Sequence, residues 1–148
     1  MNLTPEQKGY IAGIIDGEGC LHYCPKTKGG YDPVLNIANT DYRLVHKLQS
    51  WVGGTIHAAD PGVAHWKIRY CLILHINHLK KLLPQIESHL AAKHEQALLM
   101  LEWFRLFADR SFRRFAYKRQ EVQDIFQKYS KLLNHRGSGE RGEFRGTL

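Results

Sequence analysis

Two carboxylates, Asp16 and Glu18, stand one glycine apart at the end of the apolar stretch Ile11-Ala12-Gly13-Ile14-Ile15. If that stretch is a helix, both acids sit at its C-terminus, where the macrodipole is negative and disfavours them. Acids held in so unfavourable a place point to a cation. Gly9, Gly13 and Gly17 recur at every fourth position, so one face of the same helix is nearly bare of side chains. Each glycine costs about 1 kcal/mol relative to alanine inside a helix, and three in register imply a need for close backbone approach. A second group, Cys20, His22 and Cys24, follows at period two. That spacing belongs to a strand rather than to a zinc-knuckle loop, and no fourth ligand lies nearby. There is no Ser/His/Asp set in local context, no phosphate-cradling glycine loop and no His-Glu-x-x-His helix.

The elements that must position these residues follow from the patterning. Thr4, Pro5 and Gln7 spell a capping box at the entry of the first helix, which runs about three turns until Gly17 and Gly19 stop it. Residues 20–28 and 31–38 alternate like two strands around a Lys-Gly-Gly turn. Leu44, Val45, Leu48, Trp51 and Val52 mark an amphipathic helix over 40–52, closed by Gly53-Gly54. A second hairpin is expected from 55–59, a turn at Asp60-Pro61-Gly62, and a strand over 63–74. Ile76, Leu79, Leu82, Leu83 and Ile86 predict a helix interrupted at Pro84. Further helices are expected over 90–108 and 121–133. The order αββαββαα plus a helix describes an α+β domain with antiparallel hairpins.

The chain of 148 residues is long enough for one domain with a real core, expected over 1–133, and the Gly/Arg-rich 134–148 reads as a flexible tail. No apolar run approaches the roughly 18 residues of a membrane helix, and the polar start is not a signal peptide. Three cysteines make no disulfide framework and suit a reducing compartment. A net charge of +7 favours a polyanion partner. Residues 1–108 hold 11 basic and 9 acidic side chains and residues 109–148 hold 10 and 5, so overall charge does not locate the binding face.

The stretch from Ile11 to Gly19 resembles, position by position, the LAGLIDADG motif of homing endonucleases. Isoleucine stands at the first and fourth positions and glycine at the second alanine. Glu18 replaces the second aspartate and keeps the carboxylate. The element order resembles the same family's core over about residues 4–105. The resemblance implies an αββαββα fold with a saddle-shaped antiparallel sheet along the DNA major groove, and extra C-terminal helices. It also implies that Glu18, with the adjacent Gly17, holds a catalytic Mg²⁺ or another divalent cation. Asn39 matches the polar residue that orients the nucleophilic water, and it is equally suited to capping the next helix. Lys93, ahead of Gln96-Ala97, matches a lysine that stabilises charge near the site, and Arg43 matches a basic residue bordering the same pocket.

Alternation along the expected strands then assigns a DNA face. From Glu18 onward the even positions Cys20, His22, Cys24, Lys26 and Lys28 share it, followed by Asp32, Val34, Asn36 and Ala38 on the second strand. On the later hairpin His57, Ala59, His65, Lys67 and Arg69 oppose inward Trp66, Ile68 and Tyr70. Val34 and Ala38 suit thymine methyls. Cutting both strands takes two active sites, and the acidic motif occurs once. The Gly9/Gly13/Gly17 face is therefore expected to join two copies across a two-fold axis over a long pseudo-palindromic target. The resemblance further implies an intron-encoded, site-specific endonuclease leaving 3′ overhangs, with double-stranded DNA as partner and neither a membrane nor a small-molecule substrate. Its place would be the cytoplasm, or an organelle matrix if organelle-encoded, and it would not be secreted. The alternatives are an RNA-splicing maturase and a non-cleaving DNA-binding regulator of the same fold.

Overall fold

The computed structural model describes residues 1–25, 31–108 and 119–138. The chain divides into two compact units, Met1–Leu101 and Glu102–Leu148. In the first unit the order is α1 (Pro5–Glu18), β1 (Gly19–Pro25), β2 (Tyr31–Asn39), α2 (Tyr42–Val52), β3 (Thr55–Ala59), β4 (Arg69–Leu74) and α3 (Ile76–Ile86). A single 3₁₀ turn (Glu87–His89) then leads to α4 (His94–Ala108), which runs across the boundary. The second unit holds the end of α4 and α5 (Gln120–Ser138).

The α1 helix starts as its capping box demands. Gln7 N–H donates to the Thr4 hydroxyl at 3.3 Å, and Thr4 N–H donates to the Gln7 side chain at 2.9 Å. It passes through Gly17 and ends only at Gly19, whose N–H still reaches the Ile15 carbonyl. A Cβ on Gly19 would lie 2.7 Å from that carbonyl oxygen, so the switch from helix to strand without a linking residue requires glycine.

The four strands form one antiparallel sheet in the order β1-β2-β4-β3. Its inner face carries Leu21, Leu35, Ile37, Leu72 and Leu74, all buried. These are the strand residues in register with one another: Leu21 faces Leu35, Leu35 faces Leu74, and Ile37 faces Leu72. The α1, α2 and α3 helices all pack on this sheet, contributing buried Ile11, Ala12 and Ile15, then Val45, Leu48 and Val52, then Leu79, Leu82, Leu83 and Ile86. Covering one face only leaves the other to solvent or a partner, as antiparallel sheets permit.

Several boundaries differ from the sequence expectation. The last strand begins at Arg69 rather than at 63, because β3 has five residues and its pairing with β4 ends at Ala59 opposite Arg69. Residues before Arg69 thus have no strand to pair with. Trp66 N–H instead donates to the Val63 carbonyl at 2.9 Å, and Trp66 and Ile68, expected inward, are exposed. Pro84 does not interrupt α3: its missing N–H costs a single bond, while Leu82, Leu83 and Ile86 keep the last turns on the core. The α4 helix starts at His94 rather than at 90, and α5 continues to Ser138, beyond the expected end at 133. The remainder of the expected tail, 139–148, lies outside the described residues.

In the second unit Val122, Ile125 and Tyr129 recur at helical spacing and are buried. Trp103 stacks on Phe107 at 4.4 Å between ring centroids and meets Phe126 edge-on at 5.1 Å.

Candidate active site and nucleic-acid face

The two carboxylates at the end of α1 do different things. Asp16 accepts hydrogen bonds from the backbone N–H of Ala91 at 2.8 Å and of Lys93 at 2.9 Å. It therefore ties the segment before α4 to the end of α1. Partial burial pushes the Asp16 carboxyl upward, but the amides of Ala91, Lys93 and Ala92 and the Lys93 charge outweigh it and hold the group below its ordinary value. The Lys93 ammonium donates to the Asp16 backbone carbonyl, one of the helix-end carbonyls that lack an intrahelical partner. Of the two acids read from sequence as signs of a cation, Asp16 is thus accounted for by backbone amides. Lys93 reaches the motif end, where it caps the helix.

Glu18 is different. It is exposed, and its carboxylate takes no hydrogen bond or ion pair among the described residues. The carbonyl of Gly17 beside it is another helix-end acceptor. A free carboxylate and an orphan carbonyl are oxygen donors of the kind a hard divalent cation takes, though such an ion needs six or more ligands. Among the described residues no group of three His, Cys, Asp or Glu side chains converges. In one chain the donor set fits a divalent ion in kind and is incomplete in number.

Asn39 sits at the same end of the sheet, two positions past Ile37, the partner of Gly19. Its side-chain oxygen accepts from the Asp41 N–H at 2.9 Å. The cap of α2 is Asp41 rather than Asn39, with Arg43 N–H donating to Asp41 at 2.9 Å. The Arg43 guanidinium returns to the same carboxylate at 3.3 and 3.2 Å, with its side chain 91% exposed. Asn39, Asp41 and Arg43 therefore form one linked turn. Sequence reasoning missed Asp41, although an Asp directly before a helical pattern is a strong N-cap signal.

The outer sheet face follows the expected alternation. Cys20 faces Asn36, His22 faces Val34 and Cys24 faces Asp32, while His57 faces Cys71 and Ala59 faces Arg69. His57 and Arg69 are exposed. The Asn36 side-chain oxygen is buried and has no hydrogen-bond partner among the described residues. Val34 is only 4% exposed, so the expected methyl contact from it is excluded. His65 and Lys67 are not on the sheet; they lie in the exposed 60–68 connection that joins β3 to β4. Lys26 and Lys28 lie outside the described residues. The register adds Thr55, Cys71 and Ile73, which continue the same alternation beyond the residues the sequence reading named. Burial pushes the Cys71 thiol up, away from thiolate chemistry.

On α1 the Gly9, Gly13 and Gly17 positions are exposed, and a Cβ placed on any of them would meet nothing within 4 Å. Among the described residues nothing packs against the bare face.

No family model matches the sequence, and no curated protein matches it. Solved structures do match. The archaeal intron-encoded homing endonuclease I-Vdi141I, complexed with DNA, is 18% identical over 87% of this chain and 83% of its own, with a TM-score of 0.66. The group I intron-encoded homing endonuclease I-CeuI, also complexed with DNA, is 18% identical over 86% of this chain and 68% of its own, with a TM-score of 0.66. The homing endonuclease I-CvuI, in complex with its target in the presence of calcium, is 17% identical over 97% of this chain and 87% of its own, with a TM-score of 0.62. The chain has the fold of the LAGLIDADG homing endonucleases, with its four-stranded antiparallel sheet.

Proposed function

We propose that this protein is a site-specific double-strand DNA endonuclease of the homing type that works as a homodimer with a divalent cation. The observation that carries the reading is the end of α1. An exposed Glu18, unpartnered among the described residues, lies next to a glycine face that those residues leave open, on a fold whose solved examples include complexes with DNA. Two copies packed through Gly9, Gly13 and Gly17 would bring two Glu18 carboxylates near each other, and like charges at short range favour a cation between them. Glu18 and the Gly17 carbonyl of each copy would hold the ion, with the remaining positions left to phosphate oxygens and water. Bound there, a divalent ion supplies charge neutralisation at the reacting phosphate and lowers the pKa of a water.

The chain's own residues supply the rest. Lys93, which caps the end of α1, and Arg43, which its pairing with Asp41 holds at the start of α2, bring positive charge to this end of the sheet, where phosphoryl negative charge grows in the transition state. Asn39 has its oxygen engaged by the Asp41 amide, which leaves its NH₂ as the donor it could bring to a water or a phosphate. The exposed face, with His22, Cys24, Asn36, His57 and Arg69, would read base edges in the major groove, and His65 and Lys67 would add contacts from the connection. Intron encoding belongs to the same reading. The chemical set at the end of α1 favours cleavage over the maturase and regulator readings.

The test is Glu18→Gln against wild type on a plasmid library carrying randomised inserts, with Mg²⁺ or with EDTA, followed by sequencing of the cut ends. Wild type should enrich one long, pseudo-palindromic site cut with 3′ overhangs, and EDTA should stop it. Glu18→Gln should retain the same duplexes without cutting them. A Glu18→Gln protein that cuts as fast as wild type, with EDTA without effect, overturns metal-assisted hydrolysis.

A further inference from the structure

The 60–68 connection between β3 and β4 carries a feature that neither the fold nor the proposed site uses. Trp66 is 65% exposed, and Val63 and Ile68 flank it, both exposed as well. Its ring stacks on no other ring among the described residues, whereas Trp51 meets Tyr10 and Trp103 meets Phe107. An indole left open in this way is uncommon, because tryptophan is ordinarily among the most covered side chains. The connection is not slack: Gly62 N–H donates to the Asp60 carboxylate at 2.9 Å, and Trp66 N–H donates to the Val63 carbonyl at 2.9 Å.

Charge and position say what the ring meets. His65-Trp66-Lys67-Ile68-Arg69 interleaves cationic or basic side chains with apolar ones, a pattern that suits a polyanion with flat apolar faces inside it. Arg69 opens β4 on the outer sheet face, opposite Ala59. Gly19 opens β1, and Asn39 closes β2, at the same end of the sheet. Gly19 is level with Leu72 across β2, and Arg69 lies three residues further along β4, so with strands about 4.8 Å apart and about 3.3 Å per residue the connection begins about 14 Å from Gly19. That distance is about four base steps of a duplex at roughly 3.4 Å each.

We infer that Trp66, backed by Ile68, is a wedge that enters a base step of duplex DNA a few pairs from the cut, unstacking it and bending the duplex. This rests on the DNA-endonuclease reading above and adds to it a specificity term read through deformability rather than through base edges. Pyrimidine–purine steps, which unstack most readily, would be favoured at that position.

The test uses the full chain and duplexes recovered from a randomised 40-base-pair pool by wild-type binding. End-labelled duplexes report bending by energy transfer, and tryptophan emission is followed as duplex is added. Trp66→Leu should bind about tenfold more weakly, lose most of the bend, and lose the emission change seen in wild type. Its melting temperature and the slope of its affinity against salt should stay unchanged, because the side chain is exposed and uncharged. Trp66→Phe should recover most of the bend. A Trp66→Leu protein with wild-type affinity and bending overturns the wedge alone. One that falls apart into monomers while each copy binds DNA as before also overturns it, by making the ring a contact between copies. Wild-type protein that retains no duplex at all overturns the endonuclease reading itself, and the wedge with it.

Discussion

Replacing Asp16 by Asn separates the tie it makes from any part in holding a cation. The carboxylate accepts from Ala91 N–H at 2.8 Å and Lys93 N–H at 2.9 Å, one on each oxygen. Asparagine keeps one oxygen and turns an NH₂ towards the other amide, so one charge-assisted bond is lost and two donors face each other. Such a bond is worth about 1.5–3 kcal/mol. Partial exposure lets water relieve some of the loss, which places the cost near 2 kcal/mol. For a unit of about 100 residues, each kcal/mol shifts the melting temperature by roughly 4–8 °C, so Asp16→Asn should melt roughly 8–16 °C below wild type at pH 7. The sign of the pH dependence follows from the lowered folded-state pKa. The stabilisation is present above the unfolded value of about 3.9 and disappears as pH falls through the folded value, where the carboxylate takes up its proton. Circular dichroism melts from pH 7 to pH 2.5, in EDTA throughout, should therefore show the gap between the two proteins closing towards acid. Equal melting temperatures at pH 7, or a gap that stays constant to pH 2.5, would refute the tie as described.

Gly13→Leu should leave the folded chain intact, because a Cβ there meets nothing within 4 Å and leucine is the better helix former by several tenths of a kcal/mol. It should nonetheless shift the protein from dimer to monomer in analytical ultracentrifugation and abolish cutting; a variant that sediments like a dimeric wild type contradicts the packing of α1 on its copy. Exchange of Lys67 or Arg69 for Gln should weaken duplex binding and lower the slope of log affinity against log salt by about one where the side chain meets a phosphate. Unchanged affinity and slope in both variants would remove these residues from the DNA face.

How much of this was legible in the sequence depends on how local the cause was. The capping box of α1 and the alternation along β1 and β2 rest on neighbouring residues, and both stand in the structure. The start of β4 does not: Val63 to Ile68 alternate well enough to read as strand, but pairing is settled by the length of β3, which offers them nothing. The pairing of Asp16 with Ala91 and Lys93 was equally hidden, since it joins residues 75 and 77 positions apart. The fold was legible because its pattern repeats, and the place of Asp16 marked it for the helix end more than for the metal; the amides that hold it there were not legible, because they lie in a distant segment that hydrophobic patterning does not report.

Both ends of α1 are fastened to the same late stretch of chain. Leu3 N–H donates to the Gln85 side chain, whose amide reaches the Met1 carbonyl, and Asp16 is held by Ala91 and Lys93. Contacts closing loops of this length carry a large entropy cost and form late in folding. During synthesis the helix and the first two strands it packs on can be made early, but the polar ties at its two ends wait until residues 85–93 have left the ribosome. The hydrogen bonds that fasten the end of α1 beside Glu18 are therefore among the last of the first unit to form. A growing chain shorter than this holds all of the acidic motif without the ties from Gln85, Ala91 and Lys93.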